Sequence, residues 1–130
     1  IKARGEESAV IIDVGTACTI DIMDDGQHLG GYIFPGMALA RDALVSNTDK
    51  IRFSKHPDPS ISPGTDTAGC VLSGVWLTLL ATCQHVIDRF PDSKVYLTGG
   101  SAKELGALGV GGERVDGLVF DGLDFWLNGA

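Results

Sequence analysis

At 130 residues, 44% of them hydrophobic, the chain is long enough to bury the core of a single domain. Its net charge is −7 and its ten Lys and Arg residues nowhere cluster, which argues against nucleic acid or an anionic membrane surface as a partner. The eighteen glycines fall at turn positions rather than in a period, so repeat and low-complexity classes are excluded too.

The chain opens on IKARGEES, not on Met; residues 1–8 read as the charged tail of a helix that began earlier, so a piece of a longer protein is expected. Residues 9–13 form a β-branched apolar run, the pattern of a strand buried on both faces. Residues 18–24 alternate, with Cys18, Ile20 and Ile22 on one side. Asp25-Gly26 is a hairpin turn, and residues 27–33 return as a third strand. Pro35-Gly36 ends the sheet segment, and residues 37–45 read as a helix with Met37, Leu39, Ala40, Ala43 and Leu44 as its apolar side.

Residues 47–63 carry three prolines among polar residues and read as a surface loop. Thr65 or Asp66 then caps a long helix reaching about Phe90. Its stripe of Ala68, Leu72, Val75, Trp76, Leu79, Cys83, Val86, Ile87 and Phe90 steps by three and four. The opposite side offers Gly69, Ser73, Leu77, Leu80 and Gln84 with no charge between Asp66 and Ile87, a face that asks for a partner. The most apolar run, residues 71–83, is shorter than the ~20 residues a bilayer needs, so no spanning segment is expected.

Residues 94–98 form a strand, Gly99-Gly100 a turn, Ser101 a cap, and residues 102–108 a short helix. The GALGVGG segment reads as a flexible loop; an edge strand near Arg114 and Val115 and a helix over residues 118–127 close the chain. Cys18, Cys70 and Cys83 lie in apolar contexts without a CxxC pair and read as reduced core thiols of a cytoplasmic protein. His28, His56 and His85 lack ligand spacing, so zinc is not expected.

Three motifs carry the chemistry, each with a plainer alternative. In DVGTACT, a buried strand ends on Asp13; Gly15 allows close approach, the N–H groups of residues 15–17 can cup an anion, and the Thr16 hydroxyl can donate to a phosphate. An acid beside phosphates implies a cation between them; the alternative is a turn in which Asp13 caps N–H groups. In VYLTGGSAKEL, Gly99-Gly100 sits at a strand's carboxyl end, where open α/β sheets bind ligands; the alternative is a turn that needs positive φ. In SPGTDTAG, Thr67 in the first helical turn can meet a polar ligand group, or belong to a plain N-cap cluster.

The order βββ-α-α-β-α-β-α matches an α/β fold of the ribonuclease-H-like class shared by actin, hexokinase and Hsp70 ATPases, with a mixed five-stranded sheet and helices on both faces. The D-x-G-T-A stretch at Asp13, the G-G-x-I-x-P-G stretch from Gly30 to Gly36, then PGTDTAG, VYLTGG and DGLVFDGL together resemble the second half of the type III pantothenate kinases, the family of the Bvg accessory factor. The resemblance implies ATP-dependent phosphorylation of pantothenate, the first step of coenzyme A synthesis, with Mg accompanying ATP. It implies that Asp13 holds a monovalent cation (potassium or ammonium), that Gly15, Thr16, Gly99 and Gly100 meet ATP, and that Thr67 meets pantothenate. It also implies a homodimer through the 66–90 helix.

Two departures from the family pattern stand out. The D-x-G-N-T loop and the G-x-D-R segment with the proton-accepting aspartate do not occur here, so residues 9–130 read as the C-terminal domain of a two-domain kinase, inactive alone. Gly69 stands where relatives often have Glu. The competing expectation is a non-catalytic nucleotide-binding regulator of the Bvg accessory factor type.

Overall fold

The computed structural model describes residues 8–45 and 58–116. Strands β1 (Ala9–Val14), β2 (Ala17–Asp24) and β3 (Gln27–Pro35) precede helices α1 (Met37–Val45) and α2 (Thr67–Arg89). Strand β4 (Lys94–Thr98), helix α3 (Ala102–Ala107) and the two-residue strand β5 (Glu113–Arg114) follow. The five strands form one sheet in the order β3-β2-β1-β4-β5. β1, β2 and β3 pair antiparallel, and β4 returns parallel to β1 with β5 parallel beyond it. This is the ribonuclease-H-like arrangement that the element order predicts. The helix tail expected over residues 1–8, apart from Ser8, lies outside the described residues, as do most of the 47–63 loop and the helix expected over 118–127.

The short connections dictate the meander. Asp25 and Gly26 take φ of 51° and 78°, the paired positive values of a two-residue hairpin turn. β3 runs two residues beyond the expected Ile33, because Phe34 still pairs with Cys18 and Pro35 with Ala17. Pro35 is tolerated there because β3 is an edge strand and its last residue is Pro35. Alternation then sorts the side chains. Val10, Ile12 and Val14 of β1 and Cys18, Ile20 and Ile22 of β2 turn to one face, where Val75, Trp76, Leu79, Cys83 and Val86 of α2 and Ala102 and Leu105 of α3 cover them. Burying each of the large aliphatic groups contributes roughly 1.5–3 kcal/mol. The other face carries Ala9, Ile11, Met23 and Tyr96, all buried, with Val115 against them. All three described helices border the first face.

Several expectations are corrected. α2 is 23 residues long with a mean hydropathy of 1.6 over its most apolar stretch, enough to cross a membrane by length and composition, where the run 71–83 alone is too short. Its buried stripe of Val75, Trp76, Leu79, Cys83 and Val86 packs on the sheet. Leu80 belongs to the core side, packed against the main cluster, whereas Leu77 is 48% exposed. Cys70 is exposed rather than a core thiol; Cys18 and Cys83 are buried as expected. Hydrogen bonding between those two thiols pushes Cys18 up and holds Cys83 down. Ser101 occupies the cap position of α3 but makes no side-chain cap bond. The GALGVGG segment is a packed turn rather than a loose loop: Val110 is buried, and its N–H reaches the Leu105 carbonyl at 3.4 Å.

Candidate functional site

The carboxyl ends of β1 and β4 meet at the start of two tight turns. Asp13, the penultimate residue of β1, pairs in register with Thr19 of β2 and Thr98 of β4. Thr98 is the described buried polar residue in this corner, 5% exposed, and the sequence reading missed it. Its signal was its place as the last strand residue before a Gly-Gly turn. The Asp13 carboxyl is pushed above the usual aspartate range, first by burial and then by the negative charge of Asp21. Among the described residues no Lys or Arg pairs with Asp13.

Gly99 packs directly on that carboxylate. Its φ is +100°, and a Cβ there would strike Asp13 Oδ1 and come within 2.7 Å of the Val14 backbone. The next residues pin the turn to β1: the Ser101 N–H donates to the Val14 carbonyl at 2.9 Å, and the Ala102 N–H to the Gly99 carbonyl at 3.2 Å. Gly99 therefore satisfies the plainer requirement of a positive-φ turn and also brings bare backbone against Asp13. Gly100 is exposed, with open space where a side chain would stand.

The β1–β2 turn holds Gly15 and an exposed Thr16. The Gly15 N–H donates inward to the Ala17 carbonyl at 3.1 Å, so the anion cup expected over residues 15–17 loses its first donor. Gly36 closes the turn from behind. Its N–H donates to the Thr16 carbonyl at 2.9 Å, and a Cβ on Gly36 would sit within 2.7 Å of that same oxygen. This contact explains physically why a glycine follows Pro35.

Thr67 lies on a second feature. It opens α2, is exposed, and lines a groove of about 760 Å³ between β3, α1 and α2. Tyr32, Phe34, Leu44, Val71 and Gly74 form much of the rest of the wall. Asp66 is the true cap, its Oδ1 accepting the Gly69 N–H at 2.7 Å, which leaves the Thr67 hydroxyl without a partner among the described residues. A Cβ on Gly69 would stand 2.9 Å from that capping oxygen, so a larger residue there would push the cap aside. The two features touch through Pro35, which lines the groove and pairs with Ala17 of the turn. The structure thus brings Asp13, Gly15, Thr16, Gly99 and Gly100 to one corner and sets Thr67 on the adjoining groove.

A half-buried carboxylate without a protein cation, backed by a glycine cradle, fits a bound monovalent cation. Among the described residues no group of three His, Cys, Asp or Glu side chains could hold a metal together.

Comparison with known proteins shows the family. A family model described as type III pantothenate kinase matches residues 1–89. The chain belongs to the type III pantothenate kinase family. It is 38% identical over 125 residues to the type III pantothenate kinase of Marinobacter nauticus, covering 93% of this chain and 52% of that one. Against a relative of the same name from Acinetobacter baumannii it is 42% identical over 101 residues, 78% of this chain and 41% of that one. The chain therefore spans about half the length of the curated relatives it matches. Among solved structures, a conserved Campylobacter jejuni protein described as a Baf family transcriptional activator superposes with a TM-score of 0.64 at 23% identity, over 95% of this chain and 58% of that one. That likeness shows a shared fold and carries no residue roles.

Proposed function

We propose that this chain supplies the C-terminal half of a kinase that moves the γ-phosphate of ATP to pantothenate, giving 4′-phosphopantothenate at the entry to coenzyme A synthesis. The observation that carries the reading is the uncompensated Asp13 carboxylate in the glycine-lined corner beside Thr16. Asp13 holds a potassium or ammonium ion, which supplies positive charge next to the phosphates. The Thr16 hydroxyl donates to a phosphate oxygen, Gly15 admits the phosphate to the turn, and the bare backbone of Gly99-Gly100 lets the nucleotide lie against the sheet end. Phosphoryl transfer asks mainly for such positioning and charge neutralisation. Mg enters with ATP.

Thr67 offers its free hydroxyl to pantothenate at the mouth of the apolar groove. The sequence holds no G-x-D-R segment, so the aspartate that accepts the pantothenate hydroxyl proton is expected from a half outside this sequence. The protein works in the cytoplasm, without nucleic acid or membrane partners, as a homodimer joined along α2. Leu77, exposed on the stretch of α2 that has no Asp, Glu, Lys or Arg before Asp88, supports the dimer.

The test is turnover. The chain alone, given ATP and pantothenate, forms no 4′-phosphopantothenate; joined to a half bearing the D-x-G-N-T and G-x-D-R motifs, it does. Turnover by the chain alone contradicts the half-enzyme reading. Nucleotide binding without turnover in the joined protein favours a regulator of the Bvg accessory factor type; the Campylobacter jejuni protein it resembles is described as a Baf family transcriptional activator.

A further inference from the structure

Asp13 is not the only acid on its face of the sheet. Sheet register places Ile11 opposite Asp21 and Asp13 opposite Thr19, so Asp13 and Asp21 are diagonal neighbours with side chains on the same side. Like charges on adjacent strands repel, and Asp21 adds to the burial that disfavours a charged Asp13. A sheet with no use for two carboxylates there would gain by replacing Asp21 with a neutral residue.

Instead, Asp21 is held in place. His28 Nε2 on β3 lies 2.8 Å from Asp21 Oδ1, with Asp21 20% and His28 31% exposed. Gly31, directly opposite Asp21, provides the room: a Cβ there would come within 3.0 Å of the Asp21 carboxylate. The irregular register between Ile22 and Met23 brings His28, rather than Leu29, opposite Met23 and within reach. Three independent features thus fix one carboxylate beside another.

We propose that Asp21, braced by His28 over Gly31, is a positioning residue that strengthens cation binding at Asp13 by its fixed negative charge. This rests on the reading of Asp13 as the cation's ligand. Asp21 lies two residue pairs farther from the turn than Asp13, so it acts through space rather than by coordination. Two unit charges at such a separation under partial solvent screening change binding by about three- to tenfold.

The experiment is a thermal melt of the full chain in potassium chloride and in choline chloride of equal ionic strength. Wild type melts later in potassium, and the titrated half-effect concentration gives the cation affinity. Asp21→Asn raises that concentration at least about threefold. His28→Leu, which leaves Asp21 unbraced, gives a smaller rise, and His28→Gln, which keeps a donor toward Asp21, restores much of it. A merely structural role shifts the melt equally in both salts, and that result overturns the proposal. If Asp13→Asn abolishes the potassium effect while Asp21→Asn leaves it unchanged, the proposal fails and the cation reading of Asp13 stands. If neither variant alters the potassium effect, both fail together.

Discussion

The corner at the end of β1 and the groove beside β3 are built on opposite terms, and the contrast separates a rigid site from an open one. At the corner, backbone lies on backbone: Gly99 presses on Asp13 and Val14, Gly36 on Thr16, and each contact excludes even a methyl group. Along the groove, Gly74 has open space around it, and Tyr32 and Leu44 stand about half exposed. A site that must hold charges within tenths of an ångström needs rigid, side-chain-free walls. A surface that meets an apolar or protein partner can leave its contacts open until the partner arrives.

Matched substitutions test that contrast. A large effect is expected for Gly99→Ala, where positive φ and the clash with Val14 combine; a loss of about 2–4 kcal/mol in urea unfolding is predicted. Its counterpart Gly74→Ala, in an open helical position, should stabilise the chain by about 0.5–1 kcal/mol. Equal effects from the two would erase the distinction between corner and groove.

Leu79 and Leu77 make a second pair on α2. Leu79, 1% exposed, should cost about 2–5 kcal/mol on truncation to Ala. Leu77→Lys should leave the monomer's stability within about 0.5 kcal/mol and instead lower the mass seen by light scattering across a dilution series. A species monomeric at every concentration, in wild type as in the variant, would remove α2 as the dimer contact.

Smaller still is the Asp66 cap, whose replacement by Ala should cost about 1 kcal/mol. The smallest effect belongs to pH. Because folding raises the Asp13 pKa, its charged form opposes folding at pH above the folded value, and the penalty fades as pH falls toward the ordinary aspartate range. In choline buffer, Asp13→Asn should therefore melt slightly later than wild type at neutral pH, with the gap closing on acidification. A gap that widens on acidification would show that Asp13 is stabilised as an anion by some group of the protein.

Much of this fold was legible in the sequence because its signals are local. The Asp25-Gly26 turn, the alternation of Cys18, Ile20 and Ile22, and the three-four spacing of α2 each dictate their element without reference to the rest. The corner was half legible. DVGT and TGG announce a site because an acid, two bare glycine turns and a hydroxyl at strand ends have few structural uses together. What escaped depends on register and packing: that Thr98 lies beside Asp13, that Asp21 shares its face, and that the Gly15 N–H is spent within its own turn. Leu80 was misplaced because a helical wheel shows which residues oppose the stripe but not how far the core cluster reaches around the helix. GALGVGG looked loose because glycine composition suggests freedom, whereas Val110 anchors the turn in the core.

The central claim is that Asp13 is a cation ligand in a phosphate corner, not a turn cap. The most direct measurement is the potassium dependence of pantothenate phosphorylation by the joined protein carrying Asp13→Asn, which keeps the shape and removes the charge. The account predicts that potassium activation is lost or needs at least about tenfold more salt, with unfolding stability in choline preserved. An unchanged potassium dependence would contradict it.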